Sequence, residues 1–397
     1  MQDKQENGRG ALEQTAWDLI YLAACALHKI KPQEERVRRM DFKRLFWMCQ
    51  FHSMTAMVCM ALEETEAFAA ADPDITNKWK DAKAKAIRKN MLLDAEREQI
   101  LKEMEQAGIW YMPLKGSVLQ AVYPRYGMRQ MSDNDILYDA AGQKKLACLM
   151  QKRGYETEMC GKSNHDVFMK PPVYNYEMHT SLFGKFSGSA FYGYYSGIKE
   201  KLLRDKPDGY GYHFTDEDFY IYMTAHTYKH YNQSGVGLRS LADAYVYLNA
   251  KGQDMDLAYI ARETKKLGVA EFDSQLRALA EKLFCNPSPG GVSLSAQEEA
   301  TLSFFVGSGA YGTTKFYVQN RMRELQPEGE DSIWKGRLRF IWRRLFPTME
   351  WYENYEPFVA KHKILIPFFL VYRLFRRLFG RGIKGEIDAM RKYGKKK

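Results

Sequence analysis

The sequence predicts an α+β protein in which a small mixed sheet is embedded between N-terminal and C-terminal helical regions. Three observations carry this. Residues 77–107 run through a helical pattern without glycine or proline and stop at Gly108. Directly afterwards the apolar residues come in short runs of strand length, separated by turn residues. From Thr215 the helical period returns and continues into the tail.

Taken in order, residues 12–66 place Leu19, Leu22, Ala23 and Ala26 on one helical face, with Phe46, Met54, Met57 and Met60 further on, before Asp72-Pro73-Asp74 interrupts. Ile109 to Leu114 is a buried strand, followed by Lys115-Gly116-Ser117 and a helical stretch to Tyr123. Ile136 to Tyr138, with a lead-in from Asp133, forms a second strand, residues 141–153 a helix, and 166–169 and 173–179 further strands. Thr215 caps a helix with an acidic first turn, Asp216-Glu217-Asp218, that runs through His230; further helices span 238–248 and 257–283. The expected units are therefore a helical region at 1–107, an α/β core at 108–190, a helical domain at 191–331 and a basic, aromatic helical tail at 332–397.

With 397 residues, 45% hydrophobic and 27% charged, the composition is that of a globular chain and excludes fibrous, low-complexity and mainly disordered classes. Six cysteines without a CxxC pair read as reduced, mostly buried thiols. The first twenty residues lack the pattern of a secretory leader, so a cytoplasmic location is expected. The most apolar stretch, Ile364 to Tyr372, is about half of the ~20 residues a spanning helix needs. Residues 332–397 hold 17 Lys/Arg against 5 Asp/Glu, a net +12 that leaves −2 of the overall +10 for the rest. The basicity belongs to the tail.

Asp133-Asn134-Asp135 places two carboxylates on one face of a strand, where they repel unless a cation joins them. Mg²⁺ suits such a pair, since it takes one or two carboxylates and completes its shell with water and substrate phosphates. Sixteen positions before Asp133, Ser117 follows Gly116 at a strand-to-helix turn, where free N–H groups and the helix dipole favour a phosphate. Glu177 is a third acid on a later strand, with His179 on the same face. Three carboxylates from neighbouring strands can hold two metal ions, one on the acceptor hydroxyl and one on the phosphates.

These residues, LKGSVLQAVYP…GMRQMSDNDILYD followed by YNYEMHTSL, resemble the uncharacterised nucleotidyltransferase family, a branch of the DNA-polymerase-beta-like superfamily. The superfamily pattern is a hydrophobic strand, Gly-Ser at a helix start, Asp-x-Asp, and a third acid on a neighbouring strand. Gly116, Ser117, Asp133, Asp135 and Glu177 match it. The resemblance implies a Mg-dependent enzyme that transfers a nucleoside monophosphate from an NTP to the hydroxyl of a small molecule, protein or RNA. Asp133, Asp135 and Glu177 would hold the metal. One departure stands out: Asn134 occupies a position that is usually a buried aliphatic, and its amide needs partners there. A catalytically degenerate nucleotide- or partner-binding regulatory protein of the same fold is the alternative.

Other residues carry two readings each. Lys115 either neutralises phosphates or is a solvated lysine at a strand end. Arg129 and Ser132 bind triphosphate or brace the loop before Asp133. His179 orients a carboxylate, receives the acceptor proton, or is structural. His226, Lys229 and His230 form a basic cluster for nucleotide or acceptor, or pack within their helix. Arg239 and Asp243, at i and i+4, read as an intrahelical ion pair. Gly307 to Thr314 nearly spells a phosphate loop, yet Thr313 stands where its lysine belongs, so it reads as a connection. The tail interleaves aromatics with arginines; its aromatic faces, Trp342, Phe369 and Phe375 among them, are expected to pack onto the body. The alternative is weak contact with an anionic membrane surface or RNA.

Overall fold

The computed structural model describes residues 13–161, 163–185, 189–287, 292–325, 333–378 and 389–390. The N-terminal helices Gln14–His28, Phe42–His52 and Thr55–Leu62 pack through Leu19, Leu22, Ala23, Met57 and Val58. They lead into a helix of 34 residues, Pro73–Gln106, opened by Asp72 capping the Asp74 amide with proline at the first turn. At 1.5 Å per residue this helix is about 50 Å long. Its first turns belong to the N-terminal bundle, where the buried Trp79 indole donates to the Phe42 carbonyl. Its later turns lie along the sheet.

The sheet has five strands, β1 (Tyr111–Pro113), β2 (Asn134–Tyr138), β3 (Glu156–Met159), β4 (His165–Lys170) and β5 (Tyr174–His179), in the order β1-β2-β5-β4-β3. Only β2 and β5 are parallel; the other pairs are antiparallel, so the sheet is mixed. Strand β3 was not expected from the sequence. Its Glu-Thr-Glu-Met has little apolar alternation because it is an edge strand with one neighbour.

The pleat divides the central strands into two faces. Ile136, Tyr138, Tyr176 and Met178 point one way and pack with Ile100 and Met104 of the long helix and Leu146 and Met150 of the helix Gln143–Lys152. Met112 and Leu137 point the other way, into the main core shared by the N-terminal and C-terminal helices. The helix Asp216–Asn232, capped by Thr215 as expected, and the helix Leu238–Lys251 lie on this side. The expected helix 257–283 is two helices, Leu257–Lys266 and Ala270–Phe284, separated at Gly268, whose φ of +70° is left-handed. Residues 309–313 join two helices, Ala296–Ser308 and Thr314–Leu325.

Two expectations are corrected here. Cys25, Cys49 and Cys59 are buried thiols, whereas Cys148, Cys160 and Cys285 are exposed. In the tail, Trp342 and Phe375 are 63% and 59% exposed and Phe369 is half-buried. The tail helices do pack, but through other residues. Phe340 is buried against Val318 and Met322, and Phe369 meets Trp351 and Tyr352.

Candidate active site

Strand register brings two of the three predicted acids together. Asp135 lies opposite Glu177, and Leu137 opposite His179, so Asp135, Glu177 and His179 share the face turned toward the C-terminal helices. One ligand atom from each of the three lies within 4.8 Å of the others. His179 Nε2 is 2.8 Å from Asp135 Oδ1 and 3.8 Å from Glu177 Oε2. Asp133 lies just ahead of β2, outside this group, and accepts from the Ser132 hydroxyl at 2.9 Å.

Burial sets the charge balance. It pushes the Glu177 carboxyl up to about 7, helped by the negative charges of Asp135 and Asp133. Burial likewise raises Asp133, with Asp135 adding to it. At Asp135 burial is outweighed by the Lys115 ammonium and the His179 hydrogen bond, which hold the carboxyl well below its usual range. Burial lowers His179 to about 4, so its imidazole is neutral and Nε2–H donates to Asp135; its buried Nδ1 has no partner.

Lys115 is not a solvated lysine. Its Nζ donates to Asp135 Oδ1 at 2.8 Å, and its backbone is left-handed at φ +45°. For a residue other than glycine that conformation costs about 1–3 kcal/mol. The helical segment Gly116–Leu119 follows, and the Ser117 hydroxyl donates to the Leu114 carbonyl. A Cβ on Gly116 would meet Arg129 Nη1 and Met131 Sδ, each at 2.6 Å. Glycine is therefore required because the following loop packs on it.

That loop is fixed from two sides. From the long helix, buried Asn90 donates to the Arg129 carbonyl and accepts from the Met131 amide, and Lys89 donates to the Ser132 carbonyl. From the opposite side Asp243 accepts from Arg129 Nε at 2.8 Å and Nη2 at 3.0 Å. Of the two readings of Arg129, the structure places it as a loop brace. It also corrects the Arg239–Asp243 pair, because Asp243 is spent on Arg129 and Tyr123, while Arg239 donates to the Gln130 carbonyl. The long-range partners satisfy a buried carboxylate twice, which an exposed i,i+4 pair cannot.

Asn134 faces the long helix. It is fully buried, accepts from Arg97 Nη1 at 2.9 Å and donates to the Leu93 carbonyl at 3.2 Å, so both ends of its amide are satisfied. The helix Asp216–Asn232 closes the other side with Tyr222, His226, Lys229 and His230, spaced i, i+4, i+7 and i+8. His226 and His230 touch through their Nε2 atoms at 3.1 Å. Burial, then the cations Lys115 and Lys229, depress both, His230 to about 3. Lys229 is lowered by burial and by Lys115, and its ammonium lies over the Phe183 ring. A cavity of about 260 Å³ is lined by Trp110, Leu137, Thr180, Phe183, Tyr195 and Lys199 among others, with Leu137 and Thr180 its lining residues next to His179. Asn90, Arg97 and Tyr222 were missed from sequence, and Asp243 was noticed with the wrong partner; a polar residue in an otherwise apolar or helical run was the only signal.

A sequence model of the family described as uncharacterised nucleotidyltransferase matches residues 38–285. The chain belongs to this family. No curated protein and no solved structure matches the chain. The match takes in the long helix, the whole sheet and the helix with His226 and His230, so every residue of the site lies inside it; the tail lies outside. Family membership supports a general nucleotidyl-transfer role and implies an NTP substrate and an acceptor, and nucleotidyltransferases generally use a divalent metal.

Proposed function

We propose that the protein is a Mg-dependent nucleotidyltransferase that moves a nucleoside monophosphate from an NTP to an acceptor hydroxyl and releases pyrophosphate. The observation that carries this reading is the meeting of Asp135, Glu177 and His179 within 4.8 Å on parallel neighbouring strands, with Asp133 at the strand entrance. The residues fit a divalent cation: two half-buried acids, Asp133 and Glu177, are held above their ordinary range by desolvation and by the charge of Asp135, and a buried imidazole nitrogen lacks a partner. Oxygen-rich donors suit Mg²⁺.

Asp133, Asp135 and Glu177 would hold the metal, which supplies charge neutralisation at the phosphates and a more acidic acceptor hydroxyl. The acceptor oxygen forms a bond to the α-phosphorus as the bond to the β-phosphate bridging oxygen breaks. Glu177, whose carboxylate stands on the strand beside Asp135, takes the acceptor proton. His179 keeps Asp135 oriented through Nε2. Lys115 exchanges its contact with Asp135 for the polyphosphate, which Gly116, Ser117, His226, Lys229 and His230 help to receive. Positioning and charge carry most of the rate in phosphoryl transfer.

The test is transfer of α-labelled NTPs with Mg²⁺ to candidate acceptors, including the protein itself, compared with Asp135→Asn. Label transfer lost in the variant supports the reading. A second reading, binding of nucleotide or a partner without turnover, is favoured by one contact: Lys115 neutralises Asp135 without any ion. Calorimetry separates the two, since tight NTP binding that is indifferent to Mg²⁺ and never followed by transfer supports the second.

A further inference from the structure

The helix Ile366–Leu378 is apolar on two sides. Phe369 faces inward to Trp351 and Tyr352. On the other side Phe368, Val371, Tyr372 and Phe375 stand at i, i+3, i+4 and i+7, with Ile364 one turn earlier. All five are exposed, Ile364 at 81% and Phe368 at 73%. The helix Ile333–Leu345 repeats the arrangement. Phe340 is its buried anchor, while Leu338, Ile341 and Trp342 form an exposed stripe continued by Phe346. A globular surface carries single apolar residues, but two continuous stripes of this kind mark a contact.

Arginines border both stripes. Arg339 and Arg343 are exposed beside the first and Arg376 beside the second, within a tail of net +12. This charge decides the occupant. A second copy of the chain would bring one cationic tail against another. An RNA would satisfy the cations but leave Ile341, Ile364 and Val371 in water, because aliphatic side chains offer no stacking plane. An anionic bilayer satisfies both, taking the apolar stripe at the acyl boundary and the guanidinium groups at the phosphates. Among the described residues no helix is long and apolar enough to cross a membrane, so the mode is lying on the surface. We propose that the tail docks this protein, through these two stripes, onto an anionic phospholipid surface.

The experiment is co-sedimentation of the full chain with vesicles of phosphatidylcholine alone or mixed with phosphatidylserine, at low and high salt. The expected result is binding to the mixed vesicles only, weakened by salt. A variant carrying Phe368→Ser, Val371→Ser and Phe375→Ser should lose at least tenfold in partitioning. Because these side chains are exposed, its melting temperature should hold. Equal binding of variant and parent, or no binding to either vesicle, overturns the proposal. So does a parent dimer in solution that the same three substitutions dissociate, which would assign the stripes to a second copy. Salt-sensitive binding to RNA with no vesicle binding would also overturn it.

Discussion

The two faces of the β2–β5 pair are one residue apart in sequence and opposite in chemistry. On the face toward the long helix the one polar intruder, Asn134, is matched at both ends by Arg97 and the Leu93 carbonyl. On the other face Asp135 and Glu177 stand opposite each other with Asp133 just ahead of the strand, Asp133 and Glu177 are pushed toward protonation, and His179 keeps an unsatisfied nitrogen. A fold that can satisfy an isolated amide 37 residues from its partner does not leave three acids in conflict by accident of packing. The difference teaches where stability ends and a ligand's share of the energy begins.

The largest effect expected from this comparison is on the charged face. Asp135→Asn should reduce transfer on the order of 10³-fold or more, as loss of a metal-holding acid does, while the protein stays folded with a melting temperature lowered by loss of the Lys115 ion pair. Asparagine is preferable to alanine because it leaves Lys115 and His179 a hydrogen-bond acceptor. Transfer retained above a tenth would break the assignment.

Acidification comes next. His52, His179 and His230 are lowered by burial to about 4, 4 and 3, and His226 well below its ordinary value. A depressed histidine contributes its full stability above about pH 6.5 and loses it as pH falls, because the unfolded chain takes up the proton first. Each should cost roughly 1.4 kcal/mol per pH unit between about 6.5 and its folded value, and Glu177, raised to about 7, runs the other way and offsets one of the four, leaving a net loss of stability as pH falls. Denaturant melts at pH 7.5, 6 and 5 should show that slope, and a flat profile would mean that the cluster is charged and solvated.

On the quiet face, Asn134→Leu should destabilise by about 1–3 kcal/mol by taking a buried acceptor from Arg97 and the donor from Leu93. Mn²⁺ affinity should not change. A loss of metal affinity equal to that of Asp135→Asn would show that the two faces are not independent. The smallest effect is expected from Lys115→Met, which frees Asp135 for a cation. Calorimetry without nucleotide should find Mn²⁺ bound about tenfold more tightly, near 1.4 kcal/mol, and NTP bound more weakly. Weaker Mn²⁺ binding would make Lys115 a structural support for the site.

Much of the charged face was legible because its signals are local. A short apolar run marks the strand that brings Glu177 opposite Asp135, whereas Asp133, expected on the same strand face by alternation, lies ahead of the strand and outside the group. What could not be read were partners remote in the chain. Asp243 has Arg239 at i−4, and nothing local reveals that Arg129, 114 positions away, takes it instead. The cations of the tail and the period of its aromatics were plain, but both sides of its helices are apolar, so the pattern could not say which side the body takes.

The long helix Pro73–Gln106 has a consequence for any attempt to divide this protein. It begins under the N-terminal bundle at Trp79, and Lys89, Asn90 and Arg97 then hold Ser132, Met131 and Asn134 around the first acid. Further along, Glu96 and Glu103 bind Arg153 at the end of the helix Gln143–Lys152, and Glu105 accepts from the Tyr210 amide. A gene fragment starting at Gly108 would carry all the acids yet have lost the scaffold that spaces them. The shortest unit able to keep its chemistry includes this helix, and with it the bundle that anchors its far end.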